Sequence, residues 1–138
     1  MSGAESFFDT NVLLYLLSAE TDKADRVESL LERSGAVSVQ VLNEFTAVAT
    51  RKRGLSYAEV REVLDVVRVA CTTHPLTAEH YDKGVEIAER YRFSFYDSVI
   101  VASALLARCK TLYSEDLQHR QIIDKQLTVI NPFAKSRS

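Results

Sequence analysis

The chain has 138 residues, of which 46% are hydrophobic and 26% are charged, and its formal net charge is −2. A chain of this size can bury one globular core, and we expect a single domain over residues 1–138. The balance of charge excludes a polycation, so a nucleic-acid role would need local basic patches and a metal ion.

Neither a membrane segment nor a secretory signal is indicated by the sequence. No stretch approaches the ~20 apolar residues that span a bilayer, and the N-terminal residues lack a basic region followed by a long apolar core. Cys71 and Cys109 are far apart and form no motif. We interpret them as reduced core residues, which favours the cytoplasm.

The N-terminal quarter predicts a strand followed by helices. Residues 5–8 form a short apolar run that ends at Asp9. Apolar residues then recur at helical spacing from Val12 to Leu17. Thr21 is a suitable N-cap for an amphipathic helix, which we expect Gly35 to end.

The middle of the chain repeats the same alternation. A strand is predicted at residues 36–39 and a helix at residues 40–53, with Gly54 as its stop. Ser56 and Glu59 have the spacing of a capping box at the start of the next helix.

The remaining elements continue the pattern to the end of the chain. Helices are predicted to begin at Thr77 and at Ser94, and the second is apolar enough to be buried. Three further strands are predicted, at residues 71–74, 111–114 and 127–130. Short apolar strands that alternate with helices indicate an α/β fold, with a central, mostly parallel sheet of four to five strands covered by helices on both faces.

Four acidic residues border apolar segments of this pattern, and packing alone does not explain them. They are Asp9, Glu44, Asp97 and Asp116. Burying an unpaired carboxylate costs several kcal/mol, and ligands of parallel sheets gather at the carboxyl ends of the strands. The topology therefore predicts that the four acids meet at one edge, where hard oxygen ligands suit Mg²⁺ or Mn²⁺.

Each acid also has an ordinary structural explanation. Asp9 could simply cap a helix, and Asp97 could complete a cap that starts at Ser94. Asp116 could be an exposed loop acid. Glu44 is harder to explain in this way, because it lies at the margin of the apolar stripe of its helix. The coincidence of all four at one predicted edge favours a functional site.

The order and spacing of five segments resemble the PIN domain, and more closely its VapC-type toxin ribonucleases. The resemblance covers nearly the whole chain and rests on residues 8–11 (FDTN), 41–45 (VLNEF), 95–98 (FYDS), 112–117 (LYSEDL) and 129–133 (VINPF). It implies a three-layer PIN-like fold. It also implies that Asp9, Glu44, Asp97 and Asp116 hold Mg²⁺ or Mn²⁺, with Asn11 and Ser114 in supporting positions.

The same resemblance implies a function and partners. The expected activity is metal-dependent endoribonuclease cleavage, with transfer or ribosomal RNA as substrate. The expected partners are a small antitoxin that threads a segment toward the acidic pocket and a second copy of the chain. Exposed apolar residues on the helix that contains Tyr57 and Val67 could serve the homodimer.

The chemistry that we expect is hydrolysis by a metal-activated water, which leaves a 5′-phosphate and a 3′-OH. Asp9 and Asp97 are predicted to bind the metal directly, and Glu44 and Asp116 to bind it or to hold its water. Two other functions remain open. A receiver-like signalling domain also uses an acidic Mg²⁺ pocket, but Thr10 stands where it needs a second acid. The other is a catalytically silent module of the same fold that binds RNA or protein.

Overall fold

The computed structural model describes residues 6–135, and this part of the chain contains a six-stranded sheet. The strands are β1 (Ser6–Phe8), β2 (Gly35–Ser38), β3 (Cys71–His74), β4 (Thr111–Tyr113), β5 (Ile122–Ile123) and β6 (Leu127–Ile130). Their order across the sheet is β3-β2-β1-β4-β6-β5. All neighbouring strands are parallel except β5 and β6, which are antiparallel.

Helices connect the strands and cover the sheet. They are α1 (Thr10–Leu13), which continues as a 3₁₀ turn at Leu14–Leu17, α2 (Thr21–Leu31), α3 (Val39–Arg53), α4 (Tyr57–Ala70), α5 (Ala78–Tyr91) and α6 (Phe95–Leu106). Helix α3 contacts α1 and α4, whereas α5 packs on α6. Right-handed connections between parallel strands place these two groups on opposite faces of the sheet.

The predicted α/β class with a mostly parallel sheet is confirmed, and the sheet has six strands rather than four to five. The additional strand, β5, has only two residues, and Ile122 is 61% exposed. So short a segment has no periodicity that a sequence could reveal. The first strand begins at Ser6 within the described residues, and residue 5 of its predicted range lies outside them.

Two predicted helix boundaries are wrong, and those at Gly54, Ser56, Thr77 and Ser94 are confirmed. Thr21 is the first residue of α2, and Glu20 occupies the N-cap position without a side-chain bond. Gly35 belongs to β2, and Ser34 is the residue that turns the chain after α2, at φ 66°. Gly54 ends α3 at φ 68°, and the Ser56 capping box starts α4.

Helix α6 is buried along most of its length, and this fixes one side of the site. Residues 98–105 are all buried, as expected of a helix that is apolar on every side. It contacts β2 and β4, so its first turn reaches the carboxyl edge of the sheet. Within residues 6–135, neither α6 nor any other helix combines the length and the apolar character needed to cross a membrane.

A close contact between β1 and β2 explains why residue 35 is glycine. A Cβ atom there would lie 2.5 Å from Cε1 of Phe8 and 3.1 Å from the carbonyl oxygen of Ser6. Phe8 is fully buried, so its ring has little room to move away. The absence of a side chain at Gly35 therefore sets how closely β2 approaches the strand that carries Asp9.

We expect Gly35→Ala to lower the free energy of unfolding by about 1–3 kcal/mol, the usual cost of overpacking a core. Urea denaturation of the variant and the natural chain measures this difference. Gly35→Ala is also introduced into a Phe8→Leu variant. There the added methyl group should cost less, because the ring atoms that it meets have been removed. Strictly additive effects of the two substitutions would show that the ring contact is not the cause.

Candidate metal centre

The site lies where two adjacent parallel strands end. Strands β1 and β4 pair in register from Ser6 and Thr111 to Phe8 and Tyr113, so the residues that follow them emerge side by side. Strand β1 lies between β2 and β4. The connection that leads to β2 and the connection that leads to β4 lie on opposite faces of the sheet. Ligands of open α/β sheets bind at such a switch point.

Asp9 follows β1 directly and is the buried centre of the site. It is only 3% exposed, and it is also the N-cap of α1. Its Oδ1 accepts a hydrogen bond from the backbone N–H of Thr10 at 2.7 Å. Its Oδ2 accepts one from the Ser114 hydroxyl at 2.8 Å and one from the Asn11 amide at 3.1 Å. Both predicted supporting residues therefore hold this carboxylate.

Asp97 and Asp116 complete a three-carboxylate cluster with Asp9. One carboxylate oxygen from each residue lies within 4.8 Å of those of the other two. Asp97 is in the first turn of α6, where Ser94 Oγ accepts a hydrogen bond from its backbone N–H at 3.2 Å. The backbone N–H of Asp116 donates to Ser114 Oγ at 3.2 Å, so one serine contacts both the loop after β4 and Asp9.

Glu44 lies beside this cluster but is not one of its three members. Its Oε1 accepts a hydrogen bond from the Thr10 hydroxyl at 2.7 Å. Its Oε2 accepts one from the Gln40 amide at 3.2 Å. The same amide donates to the backbone carbonyl of Tyr96 at 3.1 Å. Thr10 therefore connects Glu44 to Asp9, and Gln40 connects it to the start of α6.

The roles of Thr10 and Gln40 were missed in the sequence. Thr10 directly follows the first acid, and Gln40 lies four residues before Glu44 on the same face of α3. That spacing was the available signal for Gln40. Its contact with the Tyr96 carbonyl depends on how the first turns of α3 and α6 meet at the edge of the sheet, which no local pattern encodes.

Burial and mutual repulsion make the cluster unfavourable in the absence of a cation. The pKa of Asp9 is raised to about 7, mainly by burial and also by the charges of Asp97 and Asp116, against the hydrogen bonds from Ser114 and Thr10. Burial also raises the pKa of Asp97, opposed by the Ser94 hydroxyl and reinforced by Asp116. Burial and the neighbouring negative charges therefore both disfavour the charged form of these carboxyl groups.

No basic side chain among residues 6–135 relieves this repulsion through an ion pair. The ion pairs in that range join Lys83 and Arg90 to Glu86 and Asp124, and none includes Asp9, Asp97 or Asp116. Three hard oxygen donors at close range suit Mg²⁺ or Mn²⁺. The residues present therefore fit a divalent metal ion.

The family model of the PIN domain matches residues 6–125 of this chain. Among curated proteins, none matches the sequence significantly. Several solved structures share the fold. A toxin–antitoxin complex from Klebsiella pneumoniae aligns with a TM-score of 0.71 and 20% identity, over 93% of this chain and 98% of that one.

Two further structures give similar alignments. VapC20 of Mycobacterium tuberculosis, described as a toxin that cleaves the sarcin–ricin loop, aligns with a TM-score of 0.61 and 18% identity, over 79% of this chain and 88% of that one. VapBC2 from Rickettsia felis, bound to a DNA fragment of its promoter, aligns with a TM-score of 0.62 and 18% identity, over 90% and 96%. At these identities the likeness establishes the fold.

The raised pKa of Asp9 predicts how stability depends on pH. Between the ordinary value of 3.8 and about 7, the folded metal-free protein binds more protons than the unfolded chain, so its free energy of unfolding falls as the pH rises. The Asp9→Asn variant lacks the titrating carboxyl group, so its free energy of unfolding does not fall in this way. Its stability relative to the natural chain should therefore increase by about 2 kcal/mol between pH 5 and pH 8.

Urea denaturation in EDTA at several pH values measures this difference. Asp65→Asn is a suitable control, because Asp65 is an exposed acid of α4, and it should leave the pH profile unchanged. A constant difference between Asp9→Asn and the natural chain across this range would contradict the raised pKa.

Proposed function

The chain belongs to the PIN domain family, and from this premise we propose that it is a metal-dependent endoribonuclease and the toxin of a VapC-type toxin–antitoxin pair. The observation that carries the proposal is the three-carboxylate cluster of Asp9, Asp97 and Asp116, whose oxygens lie within 4.8 Å of one another. The PIN match gives no support to a receiver-like domain.

Asp9, Asp97 and Asp116 are the residues that would hold Mg²⁺ or Mn²⁺. When bound, such an ion neutralises the carboxylates, lowers the pKa of a coordinated water and offsets the charge that develops on a phosphate. Asp9 is held in place by three hydrogen bonds that its two oxygens accept. Ser114 and Asn11 keep it in place while its charged form is desolvated.

We assign Glu44 to a water molecule rather than to the metal itself, because its oxygens do not belong to the cluster of Asp9, Asp97 and Asp116. Both of its oxygens already accept a hydrogen bond, one from Thr10 and one from Gln40, and these bonds fix its orientation beside the cluster. A carboxylate oxygen can accept a second hydrogen bond from water. Glu44 would thus orient the attacking water, whereas Asp116 would join Asp9 and Asp97 in binding the ion.

The expected substrate is structured RNA, such as transfer or ribosomal RNA, and the expected products carry a 5′-phosphate and a 3′-OH. Attack by water, instead of the ribose 2′-OH, gives these ends. One of the structural relatives is described as a toxin that cleaves the sarcin–ricin loop, which supports an RNA substrate for the shared fold.

We also propose a protein partner, a small antitoxin with a basic and apolar segment. A basic side chain of the antitoxin, placed at the acidic cluster, would supply the positive charge that the metal ion otherwise provides. The apolar part of the antitoxin segment would bind in a groove of about 570 Å³ between α2 and α4. Leu31, Val63 and Val66 line this groove, and Glu28, Glu32 and Glu62 also border it. The acids make it complementary to a positively charged segment.

A homodimer is part of the same proposal. Helix α4 buries Val60, Leu64 and Val67, so these residues belong to the core. Tyr57 and Val69 on the same helix are 70% and 90% exposed, and apolar side chains so exposed are candidates for a protein contact.

The nuclease prediction is tested with purified protein and a mixture of cellular RNAs. We expect cleavage with Mg²⁺ or Mn²⁺ and none in EDTA. Asp97→Asn should reduce the rate at least ~100-fold, because it removes a metal ligand and one of three charges. Glu62→Gln, which changes an exposed acid of α4, should leave the rate unchanged.

The ends of the RNA products decide the mechanism. Products with a 5′-phosphate support hydrolysis by water, whereas a 2′,3′-cyclic phosphate would contradict it. Cleavage that persists in EDTA would refute the metal dependence. RNA binding without any cleavage would instead indicate a catalytically silent module.

The toxin prediction is tested in growing bacteria. Induced expression of the chain alone should arrest growth, and the same level of the Asp97→Asn variant should not, because that variant keeps the fold but loses a metal ligand. Colony counts after induction measure the effect. Normal growth at high expression of the natural chain would contradict the toxin assignment, and equal arrest by both chains would show that toxicity does not depend on the cluster.

A further inference from the structure

Three exposed aromatic rings lie around the first turn of α6, which also carries Asp97 of the acidic cluster, and the metal site does not account for them. They are Tyr81 of α5, which is 58% exposed, and Phe95 and Tyr96 of α6, which are 40% and 67% exposed. The ring of Phe95 lies 5.8 Å from each of the other two, edge to face. We call these three residues the aromatic patch.

The aromatic patch is rigidly connected to the acids. Tyr96 directly precedes Asp97 in the first turn of α6, and consecutive Cα atoms are about 3.8 Å apart. The backbone carbonyl of Tyr96 accepts a hydrogen bond from the Gln40 amide, which also donates to Glu44. A molecule bound on the patch is therefore held at a fixed distance from the cluster.

The size of the aromatic patch suits nucleobases better than a protein. A fully buried aromatic side chain contributes about 150–250 Å², so the exposed parts of these three amount to roughly 250–400 Å². A standard protein interface buries about 800 Å² on each partner. One or two bases, by contrast, can be stacked on two or three rings.

A positive charge lies next to the aromatic patch. Arg92, which ends α5 at φ 64°, shares a surface hollow with Phe95, Val85, Ala88 and Glu89. Arg92 is exposed, and it forms no ion pair within residues 6–135. The start of α6 and the end of α5 thus offer an acid for a metal, rings for bases and a guanidinium for a phosphate.

We propose that the aromatic patch stacks unpaired bases of the RNA next to the phosphate that is cleaved, with Arg92 contacting a neighbouring phosphate. This inference rests on the proposed ribonuclease function and narrows its substrate. Base faces are accessible only in loops, bulges and single strands. The patch therefore selects unpaired RNA at the cleavage position.

RNA binding tests the proposal separately from catalysis. All proteins carry Asp9→Asn, so the RNA stays intact, and the probe is a labelled mixed-sequence RNA of about 12 nucleotides, within the range that single-strand sites cover. Fluorescence anisotropy should show about 5- to 100-fold weaker binding for Tyr96→Ala, the effect of losing one stacked base. Tyr96→Trp should restore the affinity, because stacking needs only an aromatic face.

Ile122→Ala is the matched control, since Ile122 is a 61% exposed apolar residue on β5, at the edge of the sheet, and its affinity should equal that of the parent. A duplex of the same sequence should bind more weakly than the single strand, and Tyr96→Ala should change duplex binding little. Equal losses for Ile122→Ala and Tyr96→Ala, or equal binding of duplex and single strand, would overturn the proposal.

A second copy of the chain is the competing occupant of the aromatic patch. Sedimentation of the parent and of a Tyr81→Ala, Tyr96→Ala double variant distinguishes it. An unchanged oligomeric state with weaker RNA binding supports base stacking. Loss of a dimer with unchanged RNA affinity per chain would overturn it. An inactive natural chain that still shows the Tyr96-dependent binding would refute the proposed nuclease and leave this inference standing.

Discussion

The fold holds three carboxylates together where electrostatics would separate them, and the rest of the site depends on this constraint. Asp9 is almost completely buried and lies close to Asp97 and Asp116, and burial raises its pKa to about 7. The neighbouring strands and helices must supply the free energy that keeps such groups in contact. A divalent cation would remove most of this cost, so the fit of the cluster to such an ion and its strain without one have the same physical origin.

Hydrogen bonds made by four polar residues turn that strained cluster into a defined geometry. Ser114 bonds both to Asp9 and to the loop that carries Asp116, while Asn11 bonds to Asp9 and to the backbone of Glu115. Thr10 and Gln40 do the same for Glu44. The residues that follow β1 and β4 and the first turns of α3 and α6 therefore restrain one another. Displacing any one of these segments affects the others. This is the preorganisation that transition-state stabilisation requires.

The sequence was sufficient to predict where the acids would meet, because the carboxyl ends of parallel strands lie on one edge whatever the details of packing. It was insufficient for what depends on contacts across the sheet. That Glu44 stands outside the cluster follows from the way Thr10 and Gln40 hold its two oxygens. Gly35 is required inside β2, where any side chain would collide with Phe8, and the turn after α2 is therefore formed by Ser34 instead. Strand β5 exists only through its pairing with β6.

The pairing of β1 with β4 has a consequence for the time at which the three-carboxylate cluster can first form. Asp9 and the serine that anchors it are 105 positions apart, and β1 has only three residues. A growing chain on the ribosome therefore carries Asp9 well before it contains β4 and the residues that follow it. Contacts of such long range form late in folding. We expect the three carboxylates to meet only after β4 has left the ribosome.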